Sequence, residues 1–240
     1  MNKEFRVVIL AAGKGTRMDS ELPKVLHLFK GLTLIDHVLN ESALLKPAET
    51  ILVVGFKKEM IISHTSNRKN LKFVEQKEQL GTGHAVLQTK KLLKNKNGHI
   101  VILYGDVPNI KSSTLHPIIN QHVNEDRGIT LISADLQNPR GYGRIFKDNN
   151  GKLLKIVEEK DCSAEEKKLK EINSGIFILK IPEIFEIIEK INTNNASKEY
   201  YLTDIVEIAQ DKMEMKAIKI GNSNEILGVN TIDQLEELNI

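Results

Sequence analysis

The sequence predicts an α/β fold with a mixed, mostly parallel central sheet, helices on both faces and a small β-rich insertion. Three observations carry that prediction. In the first half, apolar β-branched runs alternate with helix-spaced segments at intervals of about 20–30 residues, the pattern of βαβ units. The runs are continuously apolar rather than alternating, as strands covered on both faces are. Beyond residue 106 the rhythm loosens into short turn-rich segments, including the hairpin signal DNNG at residues 148–151.

Taken in order, residues 6–11, 50–55, 71–74 and 99–104 read as strands. Leu34, Ile35, Val38, Leu39 and Leu45 fall near helical spacing, and residues 82–93 read as a second helix. Residues 128–135 read as a strand, followed by the turn NPRGYGR and two short strands around DNNG. Residues 161–170 are highly charged and helix-prone, a solvated flap. A strand at 174–179 follows, then a helix opening at Pro182, a residue suited to a first turn. A helix over 202–212, a strand at 217–220 and a Thr-capped helix at 231–238 complete the chain. No repeat, low-complexity tract or linker divides it, so residues 1–240 are expected to form one domain.

Composition narrows the function. The 240 residues are 40% hydrophobic and 28% charged, ordinary for a globular protein. A net charge of +2 gives no basic footprint for nucleic acid. No apolar run approaches the roughly 18–20 residues that span a bilayer, so no membrane association is expected. The apolar N-terminal stretch runs straight into a glycine loop and reads as a strand, not a signal peptide. Cys162 is the single cysteine, which excludes a disulfide framework and fits a cytoplasmic location. The seven histidines lack ligand spacing and no G-x-S-x-G elbow occurs, so zinc and hydrolase chemistry fit poorly.

The strongest local signal is LAAGKGTRM at residues 10–18, directly after the first strand. Small residues let backbone N–H groups face an anion, and Lys14 and Arg17 add charge. It is neither a Walker A loop, because Lys14 precedes the second glycine, nor a dinucleotide fingerprint, because Met18 stands where a third small residue belongs. Alone, it is equally a glycine turn ending a strand. Pro23 fixes the backbone before Lys24, which by itself reads as a solvated lysine. The segment EQKEQLGTGH (75–84) offers Gln76 and Gln79, whose amides suit a base edge. His84 reads as a structural residue of a helix start. Asp106 ends an apolar strand, where the crevice of an open parallel sheet lies, and suits Mg²⁺; the alternative is an exposed turn aspartate before Pro108. Arginine is scarce, and Arg17, Arg140 and Arg144 lie beside glycines, suggesting recognition of phosphate or carboxylate.

Nine blocks occur in order: LAAGKGTRM, LPKVLH, EQLGTGHAV, LYGDVP, GYGRI, IVEEKD, EINSG, EYYLTD and GVN. Together they resemble the sugar nucleotidyltransferase family, in particular its bacterial N-acetylglucosamine-1-phosphate uridylyltransferase branch, from residue 8 to 230. The resemblance implies a Rossmann-like nucleotidyltransferase fold with a nucleotide-binding half at 1–110, a sugar-phosphate-binding half at 111–230 and a C-terminal helix at 231–240. It implies transfer of UMP from UTP to N-acetylglucosamine 1-phosphate with Mg²⁺ as cofactor, in cell-wall precursor synthesis. It assigns Leu10, Ala11, Ala12, Gly13, Gln76, Gln79, Gly81, Thr82 and Gly105 to the nucleotide. Arg17 and Lys24 are implied as catalytic, and Asp106 and Asn230 as metal ligands. Gly143, Glu158, Asn173, Tyr201 and Thr203 would line the sugar-phosphate pocket.

Two positions depart from the family pattern: Ser174 replaces the commoner threonine, and Glu159 stands where a histidine is expected. The left-handed β-helix that many members carry is not present in these residues. Acetyltransfer is therefore not expected, and the chain is expected to be a monomer or weak dimer. Rival readings are a glycosyltransferase, a module that senses UTP or a UDP-sugar without turnover, and a transferase for another sugar phosphate or base. The first lacks its Asp-x-Asp motif, since Val107 and Pro108 follow Asp106.

Overall fold

A computed structural model describes residues 4–18 and 20–239. Its strands are β1 (Phe5–Ala11), β2 (Leu28–Phe29), β3 (Leu32–Thr33), β4 (Thr50–Val54), β5 (Leu71–Glu75), β6 (Gly98–Tyr104), β7 (Ile129–Asp135), β8 (Arg144–Lys147), β9 (Leu153–Val157), β10 (Glu171–Ile181) and β11 (Met215–Lys219). Its helices are α1 (Leu34–Leu44), α2 (Lys58–Thr65), α3 (Thr82–Leu87), α4 (Lys90–Leu93), α5 (Ser112–Asn124), α6 (Ile184–Ile188), α7 (Ile205–Ile208) and α8 (Ile232–Asn239).

β1 is FRVVILA, apolar on both sides, and it pairs in parallel with β4 on one edge and β6 on the other. Alternate residues serve opposite faces. Val8, Leu10, Val53 and Ile102 pack into one core with α3, α6 and α7 residues, whereas Val7, Ile9, Leu52 and Leu103 pack into another with α1, α2 and α5 residues. That two-sided burial is why these strands read as continuous apolar runs. Among the described residues the sheet runs β11-β7-β10-β6-β1-β4-β5, with the β8–β9 hairpin attached to β10. β10 is antiparallel to both β6 and β7, so its first residues lie toward the end of β6 that carries the site. The fold is thus the mixed, mostly parallel α/β sheet expected, β-rich insertion included.

Several elements differ from the sequence reading. Residues 82–93 form two helices, because the buried Thr89 hydroxyl donates back to the Val86 carbonyl at 2.7 Å and tightens the chain between them. The strand at 174–179 extends to all of β10, with a register shift between Asn173 and Phe177. The helix after Pro182 begins at Ile184, and residues 202–212 divide into a 3-10 turn and α7. The charged flap holds only a 3-10 turn at Glu166–Lys168. Helices α2 and α5 stand where the sequence pattern predicts no element. Among the described residues no helix is long and apolar enough to cross a membrane.

Candidate active site

The loop after β1 opens a cleft at the C-terminal ends of β1 and β6. A cavity of about 250 Å³ is lined by Leu10, Ala11, Ala12, Gly13, Lys24, Gln76, Gln79, Gly81, Thr82, Tyr104 and Asp106. Every residue that the resemblance implies for the nucleotide, apart from Gly105, therefore lines one cavity together with Lys24 and Asp106. Gly105 continues β6 beneath it, its N–H donating to the Leu10 carbonyl at 2.9 Å.

The glycines have particular tasks. Gly15 has φ +62°, and a Cβ there would meet the Lys24 side chain at 2.6 Å, so its bareness lets the loop lie against that lysine. Gly81 has φ +113° and a Cβ would meet the Tyr200 carbonyl at 2.6 Å. That closeness is used: Tyr200 N–H donates to the Leu80 carbonyl at 2.8 Å, and the Tyr200 carbonyl accepts the Gly83 N–H at 2.8 Å. Thr82 Oγ1 accepts the Leu202 N–H at 3.0 Å, docking the EYYLTD segment against α3.

Gln76 is buried and its orientation is fixed. Its Nε2 donates to the Gly81 carbonyl at 3.0 Å and meets His84 Nδ1 at 3.1 Å. A carbonyl only accepts, so the amide nitrogen must face it. His84 is thus structural, as its sequence position suggests.

A polar corner closes one end of the cleft. Lys24 Nζ donates to Asp106 Oδ2 and to Asn230 Oδ1, the latter at 3.2 Å. Arg17 Nη2 donates to the same Asn230 oxygen at 3.0 Å. Residues more than 200 positions apart in the chain converge here. The Lys24 and Asp106 side chains are 15% and 17% exposed, so both remain reachable from the cleft. The Asp106 carboxylate and the Asn230 amide oxygen already share one cation, the Lys24 ammonium. Their all-oxygen chemistry fits Mg²⁺, which takes few protein ligands and leaves positions for phosphate and water. Among the described residues no cluster of three or more His, Cys, Asp or Glu groups could hold a metal ion.

Outside that cavity, Glu158 Oε1 accepts from the Thr203 hydroxyl at 3.0 Å, and burial pushes its carboxyl above the ordinary range. Gly143 leaves space beside it: a Cβ there would lie 3.3 Å from Glu158 Oε2. Asn173 N–H donates to the Gly143 carbonyl at 2.9 Å. Gly143, Glu158, Asn173 and Thr203 therefore cluster. Tyr201 lines an adjoining pocket of about 450 Å³ with Glu158, Asp161 and Asp204.

The glycine-flanked arginines differ. Arg144 is 2% exposed, and it donates to the Tyr142 and Lys167 carbonyls and to Glu159, so it is scaffold rather than ligand recognition. Glu159, where a histidine is expected, also accepts the Gly141 N–H and so holds the GYG turn. Tyr142, which no sequence signal singles out, places its hydroxyl 3.2 Å from the Gly228 N–H.

The chain is similar to known proteins over nearly its whole length. The sequence model of the nucleotidyl transferase family matches residues 6–225. A protein named bifunctional protein GlmU from Rippkaea orientalis is 42% identical over 97% of this chain, and one from Streptococcus pyogenes serotype M1 is 44% identical over 93%. These alignments cover 51% and 48% of the relatives, so the chain spans about half the length of the curated relatives it matches. A solved UDP-glucose pyrophosphorylase with bound UDP-glucose superposes with a TM-score of 0.76 at 19% identity, covering 98% of this chain and 97% of that one.

Proposed function

This chain belongs to the nucleotidyl transferase family, and from that premise we propose that it transfers UMP from UTP to N-acetyl-α-D-glucosamine 1-phosphate, releasing pyrophosphate. The observation that carries the reading is the convergence of Arg17, Lys24, Asp106 and Asn230 at one end of a cleft lined by Leu10 to Gly13, Gln76, Gln79, Gly81 and Thr82. The blocks QLGTGHA, EINSG and EYYLTD with GVN support the choice of substrates within the family.

In this reading a sugar-phosphate oxygen attacks the α-phosphorus of UTP, a new P–O bond forms, and the bond to the β-phosphate oxygen breaks. The attacking phosphate is already an anion at neutral pH, so no general base is needed. Asp106 and Asn230 would hold Mg²⁺, which when bound neutralises and polarises the phosphates. Gln76 and the 10–13 backbone position the base, as the cluster of Gly143, Glu158, Asn173 and Thr203 positions the amino sugar. Lys24 leaves Asp106 for the phosphates once they enter, and Arg17 lies on the same side to stabilise charge that grows on the leaving pyrophosphate. Positioning and fixed charge supply most of the acceleration.

The test is pyrophosphate release from UTP and N-acetylglucosamine 1-phosphate with Mg²⁺ and then with a chelator, beside parallel reactions with CTP, ATP, dTTP and glucose 1-phosphate. Metal-dependent release confined to the first pair is expected. Release with another pair would overturn the substrates, and no release with any pair, from folded chain that binds UTP, would overturn the transferase reading.

A further inference from the structure

Tyr142 does not line the cleft, yet its hydroxyl touches the segment that carries Asn230. Three consecutive amides of that segment are held by three different parts of the molecule. Gly228 N–H donates to Tyr142 Oη at 3.2 Å, Val229 N–H to the Asp106 carbonyl at 2.9 Å, and Asn230 N–H to Gln234 Oε1 at 2.8 Å. The second partner lies just beyond the end of β6 and the third on α8. Only the first reaches across from the β-rich insertion.

The turn that presents Tyr142 is itself fixed. Arg144, almost wholly buried, donates to the Tyr142 carbonyl, Tyr142 N–H donates to the Pro139 carbonyl at 3.3 Å, and Glu159 accepts the N–H of Gly141. The Tyr142 side chain packs against the core that α1 and α5 residues help to build, so the hydroxyl is held from behind. Val229 is fully buried, which leaves little slack between the Gly228 amide and the Asn230 side chain. A second link, Asn230 Nδ2 to the Gly228 carbonyl at 3.4 Å, joins the carboxamide to the peptide segment that Tyr142 grips.

We propose that Tyr142 is a positioning residue: by holding the Gly228 amide, its hydroxyl sets where the Asn230 amide oxygen stands and couples the sugar-phosphate half to the cation corner. The proposal rests on the reading that Asp106 and Asn230 receive a divalent cation. A phenylalanine fills the same core space, so the packing of the ring survives loss of the hydroxyl. Among the described residues the Tyr142 hydroxyl makes the one hydrogen bond that joins the insertion to residues 228–230.

The test uses Mn²⁺ as a paramagnetic probe, titrated into the full chain with UTP present and no sugar phosphate, so that no turnover occurs. Tyr142→Phe is expected to weaken Mn²⁺ binding about three- to tenfold, the scale of one neutral hydrogen bond, while UTP binding in chelator is unchanged. In an Asn230→Ala background the same change is expected to have no further effect, since the hydroxyl acts through that side chain. With sugar phosphate added, kcat falls and its KM moves less than about twofold. Unchanged Mn²⁺ affinity in Tyr142→Phe, or additive losses in the double variant, overturns the positioning role alone. Failure of the unaltered chain to bind Mn²⁺ with UTP overturns the cation reading and the proposal with it.

Discussion

The parallel strands carry charge at both ends, and the two ends use it differently. At the N-terminal ends of β1, β4, β5 and β6, Glu49 is surrounded by Arg6 at 3.0 Å, Lys72 at 2.6 Å and Lys96. Although burial works the other way, hydrogen bonds from Lys72, Lys96 and Arg6 bring its carboxyl from 4.5 down to about 2. Three cations on one carboxylate leave no side open to a ligand. At the C-terminal ends, Lys24 and Asp106 pair beside a neutral carboxamide and face a cleft. Ion pairs alone do not mark a site. What marks it is an unsaturated pair that an incoming phosphate or cation can rearrange.

The sharpest way to break this comparison is to neutralise one carboxylate at each end. Asp106→Asn is expected to cut metal-dependent turnover by at least about a thousandfold, since in the proposed reading it removes the charged ligand of the cation corner, with little change in melting temperature. Near-normal activity would remove Asp106 from that corner. Arg17→Ala, at the same end, is expected to lower kcat about a hundredfold, the scale of losing one preorganised charge contact. A change confined to KM would make Arg17 a uniform binder instead.

At the other end the expectation reverses. Glu49→Gln leaves the buried Arg6 with only the largely exposed Glu4 as charged partner and is expected to cost about 2–4 kcal/mol in denaturant unfolding, with kcat within about twofold. The sign with pH follows from the depressed carboxyl. The unfolded chain binds this proton more readily than the folded one, so the stabilisation is complete above about pH 5 and is lost as pH falls toward about 2. Acid unfolding should therefore show the stability gap between the unaltered chain and the Glu49→Gln variant shrinking below about pH 4. A constant gap would assign the effect to packing.

How much of this is legible in the sequence depends on distance along the chain. Strands β1, β4 and β6 declare themselves because burial on both faces removes nearly all polar punctuation. The loop at 10–18 and Asp106 are legible because a glycine loop and a carboxylate at strand ends are local signals. Helix α5 is not: Leu115, Ile118, Ile119 and His122 do face the core at helical spacing, but Pro117 interrupts the run and the rest is polar. Helix α2 buries only Ile61 and Thr65, too little periodicity to register. The pairings are hidden for a different reason. Arg144 beside glycines looks like a ligand contact until the carbonyls of Tyr142 and Lys167 are seen to engage its two terminal nitrogens, and Tyr142 joins Gly228 across 86 residues that no local pattern connects.

The corner that gathers Lys24, Asp106 and Asn230 also fixes when the site can exist during synthesis. A ribosome builds the chain from its N-terminus, so Lys24 and Asp106 emerge with half the sheet while their shared amide oxygen is still more than 120 residues away. Until Asn230 arrives, the Lys24–Asp106 ion pair lacks the amide oxygen that both Lys24 and Arg17 reach in the folded chain. The corner is therefore complete only once that late segment is in place.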